Sequence, residues 1–216
     1  MRQLGLNDIL FILAAVRWTL LLSIAAFAGG AIGGVVVALA RTSEIGWQRL
    51  IANGYIKIFQ GTPLLMQLFL AFFVPGLFGW SVDPWMAAVL GLSLHASAFL
   101  GEIWRGAIES VPRGQWEAAA TLGLRYGTTM TNVIAPQALR IAIPPTIGFL
   151  VQLVKGTSLA SIIGFVEITR AAQVINNATF RPFTIFALVA LVYFLICWPL
   201  SVYSKRMERK LLVASR

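Results

Sequence analysis

The chain has 216 residues, 58% of them hydrophobic and 12% charged, with a net charge of +9. Soluble domains run roughly 45–50% apolar and about 25% charged, so a soluble enzyme, a disordered chain and a disulfide-rich secreted module are excluded at the outset. One compact membrane bundle remains, too short to hold an ATPase as well, and its one cysteine, Cys197, implies neither a disulfide framework nor a metal cluster.

A spanning helix needs about 20 mostly apolar residues. The segment Ile9 to Val16 falls short of that. It lies between Asp8 and Arg17 and no A-x-A site closes it, so it reads as a helix on the outer surface leading into the first span rather than a cleaved signal. Trp18 to Ala40 is 23 residues free of Asp, Glu, Lys and Arg. It carries Gly29, Gly30, Gly33 and Gly34, two overlapping G-x-x-x-G pairs on one face. They admit a closely approaching helix, either within the monomer or from another subunit.

The second predicted span covers about residues 55–80. Gly61 and Pro63 weaken it near its inner end, where Thr62 can bond freed backbone groups. Gln67 stands 13 residues in from Gly54, roughly 20 Å along a helix. At that depth its amide bonds either a neighbouring helix or a polar substrate. The third span, about 84–105, holds the only histidine, His95, again near mid-membrane. Groups at that depth face the bundle interior or a water-filled path, so His95 is a structural hydrogen-bonding residue or a ligand contact. Glu102 and Arg105, near the inner end, are spaced for an i, i+3 ion pair.

The segment of about 106–138 is too polar to span and too regular to be a linker. Val111 to Leu124 predicts a turn and then a short helix: Glu117, Ala118, Ala119 and Ala120 favour helix, and Gly123 stops it. The small alanines leave a surface that fits a groove of another protein, with Arg113, Glu117 and Arg125 at its rim. The alternative is an amphipathic helix resting on the membrane. The fourth span, about 139–160, reads as broken, first at Pro144 and Pro145 and then at Lys155-Gly-Thr-Ser. Such breaks in transporters mark the substrate region. Lys155 either attracts a substrate carboxylate or pairs with an internal acid such as Glu167. The fifth span, about 182–204, is again uncharged.

With the N-terminus outside, the inner segments hold twelve Lys and Arg residues and the outer ones five, Arg2 and Arg216 included. That asymmetry predicts an outer N-terminus and a cytoplasmic C-terminus. The basic residues are scattered over three loops, so no nucleic-acid face is expected.

Glu117-Ala-Ala-Ala-Thr-Leu-Gly123, followed after nine residues by Val133-Ile-Ala-Pro136, resembles the EAA motif of ABC importer permeases, with Val133 for Ile and Ala135 for Leu. The likeness covers nearly the whole chain and narrows to the polar amino-acid uptake subfamily, of the histidine, glutamine and glutamate type. Tyr55 to Gln67 is similar to its Y-I-x-x-F-R-G-T-P-L-L-V-Q pattern, with Gln60 for Arg. Ala98 to Ile108 is similar to A-Y-x-x-E-x-x-R-G-x-I, with Phe99 for Tyr. Gly114-Gln115-Trp-Glu117 and Pro136 to Arg140 match G-Q-x-E-A-A and P-Q-A-L-R. Lys155-Gly156-Thr157-Ser158-Leu159 resembles K-D-T-S-L with Gly for the acid, and His95 stands where Asn is common.

The resemblance implies an all-α bundle of five transmembrane helices with a cytoplasmic coupling helix, the membrane domain of a type I ABC importer in the cytoplasmic membrane. By carry-over, Gly114, Gln115, Glu117, Ala118, Ala119 and Gly123 contact the ATPase. The implied partners are two ATPase subunits carrying ATP and Mg, a second permease subunit (identical or homologous), membrane lipid, and a periplasmic or lipid-anchored amino-acid-binding protein. The mechanism implied is alternating access. The chain has no G-x-x-x-x-G-K-[ST] loop and no cofactor of its own is expected.

A zwitterion in a low-dielectric path needs counter-charges and donors. Gln67, His95, Gln152, Lys155, Thr157 and Ser158 are the candidates, with Glu167 beside them. Glu102, Arg105, Pro144, Pro145 and Glu167 are read as structural or gating positions. Few acids lie deep, which favours neutral or acidic amino acids over cationic ones; Glu102 and Glu167 count against this. The rival readings are a stand-alone secondary transporter or channel, and a membrane scaffold.

Overall fold

The computed structural model describes residues 3–214, which leaves Arg2 and Arg216 of the charge tally outside the described residues. Among the described residues the chain is helical, with no strand. Helix α1 (Leu6–Ala14) and helix α2 (Val16–Thr42) join at Ala15 into one 37-residue run. The first segment is thus continuous with the first span rather than a separate surface helix.

Helices α3 (Gly46–Gly61) and α4 (Leu64–Leu77) meet at 103°. The predicted second span is therefore two half-helices. The bend falls at Thr62-Pro63, because a proline disfavours helical geometry in the residue before it. Helix α5 (Pro84–Glu109) starts where two local signals coincide: Pro84 occupies the first turn and the Asp83 carboxylate accepts from Trp85 N–H at 2.8 Å.

After α6 (Arg113–Thr121), helix α7 (Tyr126–Thr129) passes through a π-helical turn, Met130–Ile134, into α8 (Ala135–Gly156). Pro136, with no N–H for a carbonyl one turn back, sits just past that turn. The helical run begins at Tyr126, well before the span expected from about residue 139.

Pro144 and Pro145 do not break α8, contrary to expectation. The Pro144 carbonyl accepts from Ser204 Oγ at 2.7 Å, and α10 supports the helix along this stretch. At Gly156 the helix tightens into a 3₁₀ turn, Thr157–Ser161. Helix α9 (Ile168–Thr179) and the 33-residue α10 (Pro182–Ala214) complete the chain.

The core forms where small residues let α2 and α5 approach. A Cβ on Gly30 would overlap Ala96, and one on Gly33 would lie 2.8 Å from Ser97 Cβ. The glycine face is thus consumed within the monomer. Leu22, Leu68, Leu92, Leu100, Phe149 and Leu153 fill the space between α2, α4, α5 and α8. The outward faces are apolar instead of polar: Ile32 is 73% exposed and Phe183 92%. So much exposed apolar surface suits contact with lipid, not water. Four helical runs are long and apolar enough to cross a membrane, or five if α3–α4 is one bent span.

Candidate translocation path and coupling segment

The α3–α4 bend leaves carbonyls without helical donors. Gln67, one turn into α4, supplies them: its Nε2 donates to Phe59 O (2.8 Å), Thr62 O (3.0 Å) and Thr62 Oγ1 (2.9 Å). Its Oε1 lies 3.0 Å from His95 Nδ1 on α5. An amide oxygen only accepts, so the network assigns the proton to Nδ1 and leaves Nε2 an acceptor. The imidazole packs beside Phe99 and Phe149, with ring centroids at 4.6 and 6.4 Å. Gln67 thus bonds a neighbouring helix and closes the bend. His95 Nε2 has no hydrogen-bond partner among the described residues.

Gln152 and Lys155 lie elsewhere. Both are exposed and line a groove of about 670 Å³ between α8 and α10, shared with Ser201, Lys205 and Glu208. Among the described residues Lys155 has no ion-pair partner, so it does not pair with Glu167. A cation on a spanning helix is costly in lipid, which marks this face for protein or water. The two residues that follow Gly156 turn away: buried Thr157 donates to Val154 O (2.7 Å), and Ser158 to Lys155 O (2.7 Å). The 3₁₀ turn carries them off the α8 face that presents Lys155.

Glu167 is fully buried at the start of α9. It accepts from Arg170 N–H at 2.9 Å and from Tyr193 Oη at 2.8 Å, while Ile168 N–H donates to Thr19 Oγ1 at 3.3 Å. Burial pushes the carboxyl above the usual range, and these donors pull it back. The cluster ties α2, α9 and α10 together. Tyr193, its key donor, gave no sequence signal, being one aromatic in an apolar run.

The predicted Glu102–Arg105 ion pair forms. Arg105 Nε and Nη2 fork onto the carboxylate at 2.9 and 2.5 Å, and Nη1 bonds Glu109. Arg41 of α2 stands 3.9 Å from Glu102, linking the two helices at this end.

Helix α6 follows Val111, which is buried against Met130 and Ile134. Gly114, Gln115, Glu117 and Ala118 are exposed, and Ala119 is buried. Gly123, at φ 70°, closes the helix: its N–H bonds Ala120 O (3.0 Å) and Leu124 N–H bonds Ala119 O (3.1 Å). That pair of bonds is a Schellman ending, which requires a left-handed residue. Trp116 stacks on Tyr126 at 6.3 Å. Gln137 Nε2 bonds both Val133 O (2.8 Å) and Gln115 Oε1 (3.3 Å), pinning α6 to the start of α8. Gln137 was not singled out, although it stands inside the Pro136–Arg140 pattern.

The comparisons with known proteins agree with this architecture. A family model described as "Binding-protein-dependent transport system inner membrane component" matches residues 30–213. A probable amino-acid ABC transporter permease protein, YckA of Bacillus subtilis (strain 168), is 36% identical over 96% of this chain and 92% of its own. The L-cystine transport system permease protein TcyB of the same organism is 39% identical over 91% of this chain and 84% of its own. A solved amino acid ABC transporter with histidines superposes with a TM-score of 0.88 at 31% identity, covering 97% of this chain and 100% of that one. The methionine transporter MetNI, at 18% identity and a TM-score of 0.73, shares the fold. The chain therefore belongs to the family of inner membrane components of binding-protein-dependent transport systems.

Proposed function

We propose that this chain is the permease subunit of an ATP-driven importer of polar amino acids, working by alternating access in the cytoplasmic membrane. Counting α3–α4 as one bent span gives five spans, with the N-terminus outside and α6 on the cytoplasmic side. Helix α6 is then the coupling helix. The observation that carries this is its Glu117-Ala-Ala-Ala-Thr-Leu-Gly123 surface, exposed on one side and locked on the other by the Gly123 ending and the Gln115–Gln137 bond.

Two ATPase subunits, each holding ATP and Mg, dock against Glu117, Ala118 and the adjoining Gly114 and Gln115. Ala119 and Gly123 hold the shape of that surface. A second permease, a copy or a homologue, lies against this one. A periplasmic or lipid-anchored binding protein delivers the substrate. Relatives carry amino-acid names, and that supports the substrate class.

Gln152 and Lys155 supply a donor and a cation to the path, and His95 Nε2 an acceptor. Thr157 and Ser158 shape the turn that ends α8. Glu102 is neutralised by Arg105, and Glu167 is sealed from the groove by burial. With both acids withdrawn, the exposed charge favours neutral or acidic amino acids. Pro144, Pro145 and the Glu102–Arg105 pair serve as structural elements of the moving bundle.

The test is reconstitution with the cognate ATPase and binding protein. Glu117→Arg, correctly inserted, is expected to lose ATPase binding and at least ~tenfold of uptake, since it places a cation at the centre of a protein contact. Full uptake by that variant, or substrate flux by the purified chain without ATPase and ATP, overturns the reading.

A further inference from the structure

A groove of about 830 Å³ lies away from the path, between the end of α2 and the start of α3. Along α2 it is apolar, lined by Val36, Val37 and Ala40. It continues a lipid-facing stripe, since Ile32 is 73% and Val36 64% exposed on a spanning helix. At the far end it turns polar, with Ser43, Glu44 and Gln48, and aromatic, with Trp47 and Tyr126.

Trp and Tyr rings of this kind sit at headgroup depth in a bilayer. Two exposed arginines adjoin that end in sequence: Arg49 follows Gln48 and Arg125 precedes Tyr126. Neither has an ion-pair partner among the described residues, and Glu44 is the one acid on the lining. Arg41 nearby is already committed to Glu102.

We infer that this groove is a binding site for one anionic phospholipid of the adjoining leaflet. The acyl chain lies in the slot along α2, and the phosphate and headgroup meet the arginine end. An amphiphile fits because the groove changes from apolar to polar along its own length, as a phospholipid does. A protein segment is disfavoured by the same observation: the slot opens onto the apolar stripe of a spanning helix, whereas the face bearing unpaired spanning charge is on α8 and α10. The site rests only on α2 crossing a membrane and not on the transport reading. Its wall includes Tyr126, which stacks on Trp116 of α6, so an occupant abuts the segment assigned to coupling.

The full chain is reconstituted in vesicles of phosphatidylethanolamine and phosphatidylglycerol, about three to one. A trace of phosphatidylglycerol carries a photoreactive group in its acyl chain, and labelled peptides are mapped after illumination. Labelling is expected to concentrate in residues 36–55 and around Tyr126. Ala40→Trp, which fills the slot, should abolish that concentration. Arg49→Glu with Arg125→Glu, both on exposed positions, should lower it about tenfold, the order expected for two surface cations. Uniform labelling of all apolar faces overturns the site. Equal labelling by a phosphatidylcholine probe overturns the anionic class. A disulfide between two chains through Gln48→Cys would place a second copy in the groove and overturn the lipid.

Discussion

The α2–α5 seam and helix α6 are both written in small residues, and they use them in opposite ways. Along α2, Gly29, Gly30, Gly33 and Gly34 bring the backbone against Ser93, Ala96, Ser97 and Leu100. Along α6, Ala118 and Ala120 stay exposed and only Ala119 is covered. Missing side chains at the seam are used up inside the monomer. Missing side chains on α6 leave a smooth surface that nothing among the described residues covers. Composition treats the two alike; burial separates residues spent on packing from residues left open.

The sharpest way to break the seam is Gly30→Leu. The added atoms meet Ala96 backbone as well as its Cβ, and neither helix can yield without losing its neighbours. A loss of about 3 kcal/mol is expected, read as a large fall in melting temperature in detergent. The matching change on α6, Ala118→Leu, should leave melting unchanged and weaken ATPase binding. If both variants melted alike, the contrast would be void.

Gln67→Leu comes next, at about 2 kcal/mol, because it strands the Thr62 and Phe59 carbonyls and His95 Nδ1 together. Adding His95→Phe should cost less than the sum of the two single changes, since the stranded imidazole is then gone. Strict additivity in a thermal double-mutant cycle would show that the two side chains do not act as a unit.

Gly123→Ala forces a Cβ into a left-handed conformation, at about 1 kcal/mol. The damage should stay local: faster amide exchange over α6, with the melting of the bundle little moved. Gly123→Asn should restore most of the protection.

The smallest stability effect is expected at Lys155→Met, within about 0.5 kcal/mol, because the ammonium is exposed and has no ion-pair partner among the described residues. Uptake should change nonetheless, as a raised KM for amino acids with an acidic side chain. An unaltered KM would remove Lys155 from the path.

That the chain carries several long apolar helices was legible because an apolar run of about 20 residues has one use in a bilayer. The Glu102–Arg105 pair and the Gly123 stop were legible because both are local, within one or two helical turns. The fate of Pro144 and Pro145 was not. Whether a helix continues through prolines depends on what packs beside it, and the side chain that ties this stretch to α10, Ser204, is 60 residues away from Pro144. The donor to Glu167 was not legible for the same reason, since Tyr193 comes from another helix.

What the sequence by itself determined is the set of local and solvent-driven features: a helical membrane chain, the weak point at Gly61 to Pro63, the short helix closed at Gly123, and the motif that names the family. Hydropathy, proline geometry and a left-handed glycine act over a few residues, so they can be read along a line. Only the tertiary structure decided which polar groups are spent and which remain. Gln67, Thr157, Glu102 and Glu167 are satisfied within the chain, whereas Lys155, Gln152 and His95 Nε2 are left over among the described residues. A hydrogen-bond donor is used up by whichever acceptor lies within reach, and reach is set by how the helices pack.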